Sequence, residues 1–337
     1  SSFLAGESNI FILLYFCNAK IIVMNQLFVR NKFFILHLMV IILGFTGIIG
    51  NESFIELGGL DKEIQSSALV FYRMLITFIV LFIFISIKDN LWAIKLRDLL
   101  EICFIGFIVG LHWIFFFESI REHTVIGVIC LSTSSLFTSI IEPIVLKRKI
   151  SQHEILLGLI IIVSICIMWW NTINLEIGEA YLYGIISSLL AALFTVLNAK
   201  YVNRVSSTKL CAIEMFSGSI LVAVYILLLG HSEVFLFNIE SRDLIYLLIL
   251  SIICTAMVFV LMTEIMKYIS PYTLVMAINL EPVYTIILCF ILSGFYPLLK
   301  DEIQDLNIYF YITASFMIIS TIYLNYHFKK KINLNKI

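Results

Sequence analysis

Apolar residues in this chain come in long runs separated by short polar turns. A bilayer-crossing helix needs about 20 mostly apolar residues. Ten runs have that character, at 33–50, 68–87, 99–119, 125–146, 154–170, 180–199, 211–230, 244–266, 272–293 and 308–327. In a bilayer core the backbone must satisfy its own hydrogen bonds, so each run predicts a helix. The turns are short, so sequence neighbours pack directly and no soluble domain fits between them.

Two of the runs echo each other. HTVIGVICLSTSSLFTSII (His123–Ile141) and SPYTLVMAINLEPVYTIIL (Ser270–Leu288) each leave a polar turn, run apolar and carry polar residues midway. Aligning Thr138 with Thr285 sets His123 opposite Ser270 and Ser135 opposite Pro282, an offset of 147 residues. Upstream, SALVFYRM (Ser67–Met74) resembles STKLCAIEM (Ser207–Met215), which sets Arg73 opposite Glu214. Ten spans then divide as five plus five, and an odd number per half reverses the orientation of the second half. The prediction is an all-α integral membrane fold, ten transmembrane helices as two inverted five-helix repeats over 33–171 and 178–327, with a site near the midplane between them. Residues 1–32 read as an N-terminal appendage, with Met24 a candidate natural start. Residues 328–337 read as a basic cytoplasmic tail.

Composition and charge placement agree with the run pattern. The chain is 61% hydrophobic and 13% charged, with a mean hydropathy of +1.04, far from the roughly 25% charge of soluble domains. One set of span ends is basic, including Lys147, Arg148, Lys149, Lys329, Lys330 and Lys331; the opposite set is acidic, including Glu52, Glu56, Asp61, Glu233, Asp301 and Glu302. The positive-inside rule then puts both termini in the cytoplasm. With a net charge of −1, nothing points to nucleic acid. The seven cysteines are isolated in apolar runs, without metal-ligand or disulfide spacing. No HExxH, clustered carboxylates or Ser/His/Asp grouping appears, so no catalytic residue, metal site or cofactor is nominated and an enzyme is not expected.

Polar groups inside the spans carry the candidate chemistry, because a charge at the bilayer centre is costly and must pair, meet water or meet ligand. Arg73 and Glu214 are read as opposite walls of a central cavity that engage the two charges of a zwitterion; a structural ion pair or snorkelling is the alternative. Glu281, before Pro282, either binds cargo or carries a proton, or else holds a helix kink. Asn279, His112, Trp113, Ser132 and Thr133 complete the candidate substrate-binding set, each with a packing role as its alternative. Histidine's titration range makes proton coupling through His112 compatible with the pattern.

These residues resemble the drug/metabolite transporter superfamily, in its ten-helix EamA-type members, over 33–327. The resemblance rests on KYISPYTLVMAINLEPVYTIIL (Lys267–Leu288), on LHWIFFFESI with LSTSSLFTSIIEP (Leu111–Ile120 and Leu131–Pro143), and on Arg73 in the second span. It implies export or exchange of small metabolites such as amino acids across the bacterial inner membrane, driven by a proton or substrate gradient, with no cofactor. The chain departs from the pattern at SGFYPLLKDEIQ, where Phe295 follows Gly294, and at Ser135, where the family has proline. The rival readings are a membrane enzyme acting on lipid-linked substrates and a non-transporting scaffold. Cargo, direction, coupling ion and oligomeric state do not follow from the sequence.

Overall fold

The computed structural model describes residues 31–50, 55, 57, 60–88, 94–171, 175–236, 239–296, 299, 308–309, 311–316, 319–320 and 323. The predicted appendage up to residue 30 and the tail at 328–337 lie outside the described residues. Every regular element among the described residues is helical. The helices are α1 (Asn31–Ile49), α2 (Lys62–Lys88), α3 (Leu96–Glu122), α4 (Thr124–Cys130), α5 (Ser134–Leu146), α6 (Gln152–Asn171), α7 (Leu175–Asn198), α8 (Ser207–Leu228), α9 (Ser241–Ser251), α10 (Val258–Ile265), α11 (Pro271–Ile278) and α12 (Glu281–Leu292). Taking α4 with α5, α9 with α10 and α11 with α12 as single crossings, eight are long and apolar enough to span a bilayer; α6 contributes a shorter apolar stretch, Gln152–Ser164. The last predicted span is helical at its described positions between 308 and 323.

Apolar side chains point outward as well as inward. Phe84, Ile87, Phe104, Leu228 and Phe316 are exposed, the arrangement of a protein solvated by lipid tails. Inside, α3 packs on both α7 and α8, and α8 on α2. The α3–α8 contact is backbone on backbone. A Cβ at Gly106 would sit 2.4 Å from the Glu214 carbonyl oxygen, and one at Gly218 would sit 2.7 Å from the Gly106 carbonyl oxygen. Small residues permit that approach, as the spacing of Gly106 and Gly110 anticipates.

The two echoing stretches each break into two helices at the same register. Thr124 and Pro271 start α4 and α11, and Ser134 and Glu281 start α5 and α12; members of each pair are 147 residues apart. The causes of the breaks differ. Pro282, in the first turn of α12, has no N–H to continue a helix from the preceding turn. In the first stretch hydroxyls do the work: Thr133 Oγ1 donates to the Cys130 carbonyl at 2.7 Å and Ser135 Oγ to the Ser132 carbonyl at 2.9 Å. Such back-bonding competes with the helix ladder, and Leu131–Thr133 tightens into a 3-10 turn. The broken helices pair crosswise, α4 on α12 and α5 on α11. Exchanging the two stretches maps this pairing onto itself.

Candidate functional site

At these breaks helices from both halves of the chain line a cavity of about 90 Å³. A water occupies about 30 Å³ in the liquid, so the space holds a few waters in this conformation. Arg73 from α2, His112 and Trp113 from α3, Ser134 from α5, Phe194 from α7 and Glu281 from α12 are on its wall.

Arg73 is held on three sides. Its Nε donates to Thr255 Oγ1 at 2.6 Å. Its guanidinium carbon lies 4.1 Å from the Trp113 ring centre and 5.3 Å from that of Phe117. A desolvated cation over an indole face gains about 2 kcal/mol, which offsets part of the cost of burying it. Nη1 is buried with no hydrogen-bond partner among the described residues.

A π-helical segment, Ile252–Met257, presents Thr255 between α9 and α10. Such wide turns recur where a helix is shaped around a site. Thr255 Oγ1 donates to the Leu250 carbonyl at 2.7 Å, which leaves its lone pairs to accept from Arg73. One turn beyond Arg73, Thr77 Oγ1 donates to the Ser251 carbonyl at 2.9 Å. Arg73 thus fastens α2 to the π segment, and Thr77 fastens it to the last residue of α9 just before that segment.

His112 is oriented from α7. Its Nδ1 lies 2.9 Å from the Ser187 carbonyl oxygen, and Ser187 Oγ lies 3.1 Å from the His112 carbonyl oxygen. Ser187 Oγ also lies 2.8 Å from Nδ1; a carbonyl only accepts, so the contact with the Ser187 carbonyl is a hydrogen bond when Nδ1 carries the proton. Rings complete the wall: His112 with Phe194 at 5.3 Å, Phe194 with Phe259 at 5.8 Å and Phe259 with Trp113 at 5.9 Å between centres. Glu281, 4% exposed, opens α12, where the helix N-terminus favours negative charge. The cavity therefore offers one cation, one carboxylate, one imidazole and an aromatic lining.

The sequence model of the EamA-like transporter family matches residues 57–170 and, a second time, 178–326. The chain belongs to the EamA-like transporter family. As an EamA-like protein it is a multi-pass integral membrane protein with two copies of the family unit, and the cavity lies where those copies meet. No curated protein matches the chain. A solved crystal structure is similar in fold, with a TM-score of 0.63 at 12% identity over 88% of this chain and 97% of that one.

The EamA-like chain does not bring all the predicted residues to the cavity. Arg73, His112, Trp113 and Glu281 line it; Ser132, Thr133, Asn279 and Glu214 are not on its lining. Thr133 bonds back to its own helix and to Ser188 of α7. Ser132 Oγ is buried without a partner among the described residues. Asn279 caps α11 and reaches the Met276 sulfur at 3.8 Å. Glu214 does not face Arg73. Its backbone abuts Gly106 of α3, whereas the Arg73 side chain runs to Trp113 and Thr255. The reason is geometric: close backbone packing of α8 on α3 sets the position of Glu214, whereas Arg73 is drawn to the Trp113 ring and Thr255.

Sequence reading missed Thr46, Phe194, Thr195, Cys254 and Phe259 on the wall, and Thr255 and Ser187 behind it. Thr255 and Ser187 carry a visible signal, since each is a hydroxyl in the middle of an apolar run. The aromatic residues carry none, because rings are as common at lipid-facing positions.

Proposed function

We propose that this chain is a secondary transporter, an exporter or exchanger of small metabolites such as amino acids, working by alternating access in the bacterial inner membrane. Its ten helices form two inverted five-helix repeats with both termini cytoplasmic. The observation that carries the reading is the cavity that unites Arg73 from one repeat with Glu281 from the other inside an aromatic wall. A zwitterion with a compact apolar body suits it: the carboxylate meets Arg73 Nη1, the ammonium meets Glu281, and the rings cover the rest. At about 90 Å³ the cavity is below the 300–1,000 Å³ usual for ligand pockets. Cargo therefore enters only when the crosswise pairs α4–α12 and α5–α11 part on one side. The matched breaks support rocking about those pairs.

Counterflow tests this. Proteoliposomes preloaded with one amino acid at a time, or with small carboxylates, should take up the same labelled compound from trace outside concentration for at least one member of the panel. Arg73→Ala and Glu281→Gln should each abolish that uptake. No counterflow with any member, or full counterflow in both variants, would sink the reading.

A further inference from the structure

Glu214 is the most isolated charged group in the described core. Its side chain sits on α8, seven residues beyond Ser207, and the residue is 0% exposed. Neither carboxyl oxygen has a hydrogen-bond partner among the described residues. The polar group acting on it is the Asn198 amide from the end of α7, and Asn198 Oδ1 is itself buried without a partner. Asn198 offers both kinds of group, an amide N–H that donates to a carboxylate and an unpartnered Oδ1 that accepts from a protonated carboxyl. An ionised carboxylate only accepts, but a protonated one donates. One proton on Glu214 supplies a donor that the unpartnered Oδ1 can accept.

Among the described residues, no cation from the packed elements acts on it. From α2, Arg73 is turned to Thr255 and the Trp113 face. From α3, Gly106 presents bare backbone; Cys103 is directed at Ser217, and Glu101 is engaged by Arg97 and Tyr201. From α10, Glu264 is held by Lys267 and Ser207. On α8 itself, Cys211 lies one turn earlier with its sulfur 3.3 Å from Thr263 Oγ1, and Lys209 sits in the first turn. A bare carboxylate in such a place loses its solvation with no cation beside it to offset the loss.

We infer that Glu214 is the proton-binding site that couples transport, set apart from the cargo cavity. This rests on the transporter reading above and deepens it. Arg73 and Glu214 hold matched positions in the two repeats: one copy presents its charge to cargo, the other to a proton. In the packed conformation Glu214 holds the proton. When α8 separates from α3, water reaches the carboxyl, which gives its proton to water on that side and leaves a carboxylate. Repacking requires a proton taken from water on the other side. Charge and atoms balance with water as the sole co-reactant.

Two measurements on the full-length protein test this. Infrared difference spectra at neutral pH should show a protonated-carboxyl band in the wild type that is diminished in Glu214→Gln; identical spectra would overturn the assignment. In proteoliposomes, with the labelled amino acid that gives counterflow, an imposed pH gradient should drive accumulation by the wild type. Relative to counterflow, that accumulation should fall to the empty-vesicle level in Glu214→Gln and persist in Glu214→Asp. Gradient response kept in Glu214→Gln, absent from the wild type, or lost only together with counterflow would each refute it. Absence of counterflow in the wild type would instead remove the transporter reading, with the infrared band still deciding where the proton sits.

Discussion

Glu142 Oε2 accepts a hydrogen bond of 2.8 Å from the backbone N–H of Tyr272, tying α5 in the first family unit to the start of α11 in the second. The other oxygen, Oε1, takes Arg148 Nε at 2.8 Å, and Arg148 Nη2 reaches Glu154 Oε2 of α6 at 2.5 Å. First-turn N–H groups of a helix lack partners within it, and here a carboxylate that is 2% exposed supplies one. The clamp closes the basic end of the crosswise α5–α11 pair.

Removing the carboxylate should therefore loosen that end. Glu142→Ala strands the Tyr272 N–H and frees Arg148, and hydrogen bonds to charged groups are worth about 1.5–3 kcal/mol. A lower unfolding temperature is expected, with a smaller drop for Arg148→Ala because that side chain is 27% exposed. Thermal unfolding in detergent measures both; equal stability of Glu142→Ala and wild type would show that the clamp is idle.

The α3–α8 contact makes a second prediction. A Cβ at Gly106 would fall 2.1 Å from Ser217 Oγ and 2.4 Å from the Glu214 carbonyl oxygen. The serine can turn away but the backbone cannot. Gly106→Ala should cost about 1–3 kcal/mol, the range for overpacking. Gly178→Ala, with nothing within 4 Å of its new carbon, is the matched control and should leave thermal unfolding where it was.

The break between α4 and α5 predicts an unusual tolerance. Ser135 is the second residue of α5, and proline is accepted in a first helical turn. Ser135→Pro should cost little beyond its bond to the Ser132 carbonyl. Ile141→Pro, in the interior of the same helix, should cost about 3 kcal/mol. Comparing expression and melting of the two decides whether the break is a built feature.

Arg73→Lys probes the cavity itself. Lysine keeps the charge but loses the planar face on Trp113 and the Nε bond to Thr255. If Arg73 binds cargo, the half-saturating concentration in counterflow should rise roughly tenfold, the equivalent of about 1.4 kcal/mol. An unchanged value would restrict Arg73 to a packing role.

Apolar run length alone determined that this chain lies in a membrane as helices, since in hydrocarbon the backbone has few other ways to satisfy itself. The 147-residue echo marked two stretches as related, and the proline in the second marked a kink there; that the first breaks at the same register, through back-bonding hydroxyls, came from the structure. Arg73 and Glu281 were legible as residues too costly to be idle in a bilayer. Only the tertiary structure decided which polar residues share a space. The repeat alignment sets Arg73 opposite Glu214; it does not state that the Arg73 side chain turns to Trp113 and Thr255 while the Glu214 backbone packs on Gly106. That choice depends on backbone contact between α3 and α8 and on a π turn 182 residues from Arg73 along the chain, both set by packing between distant segments.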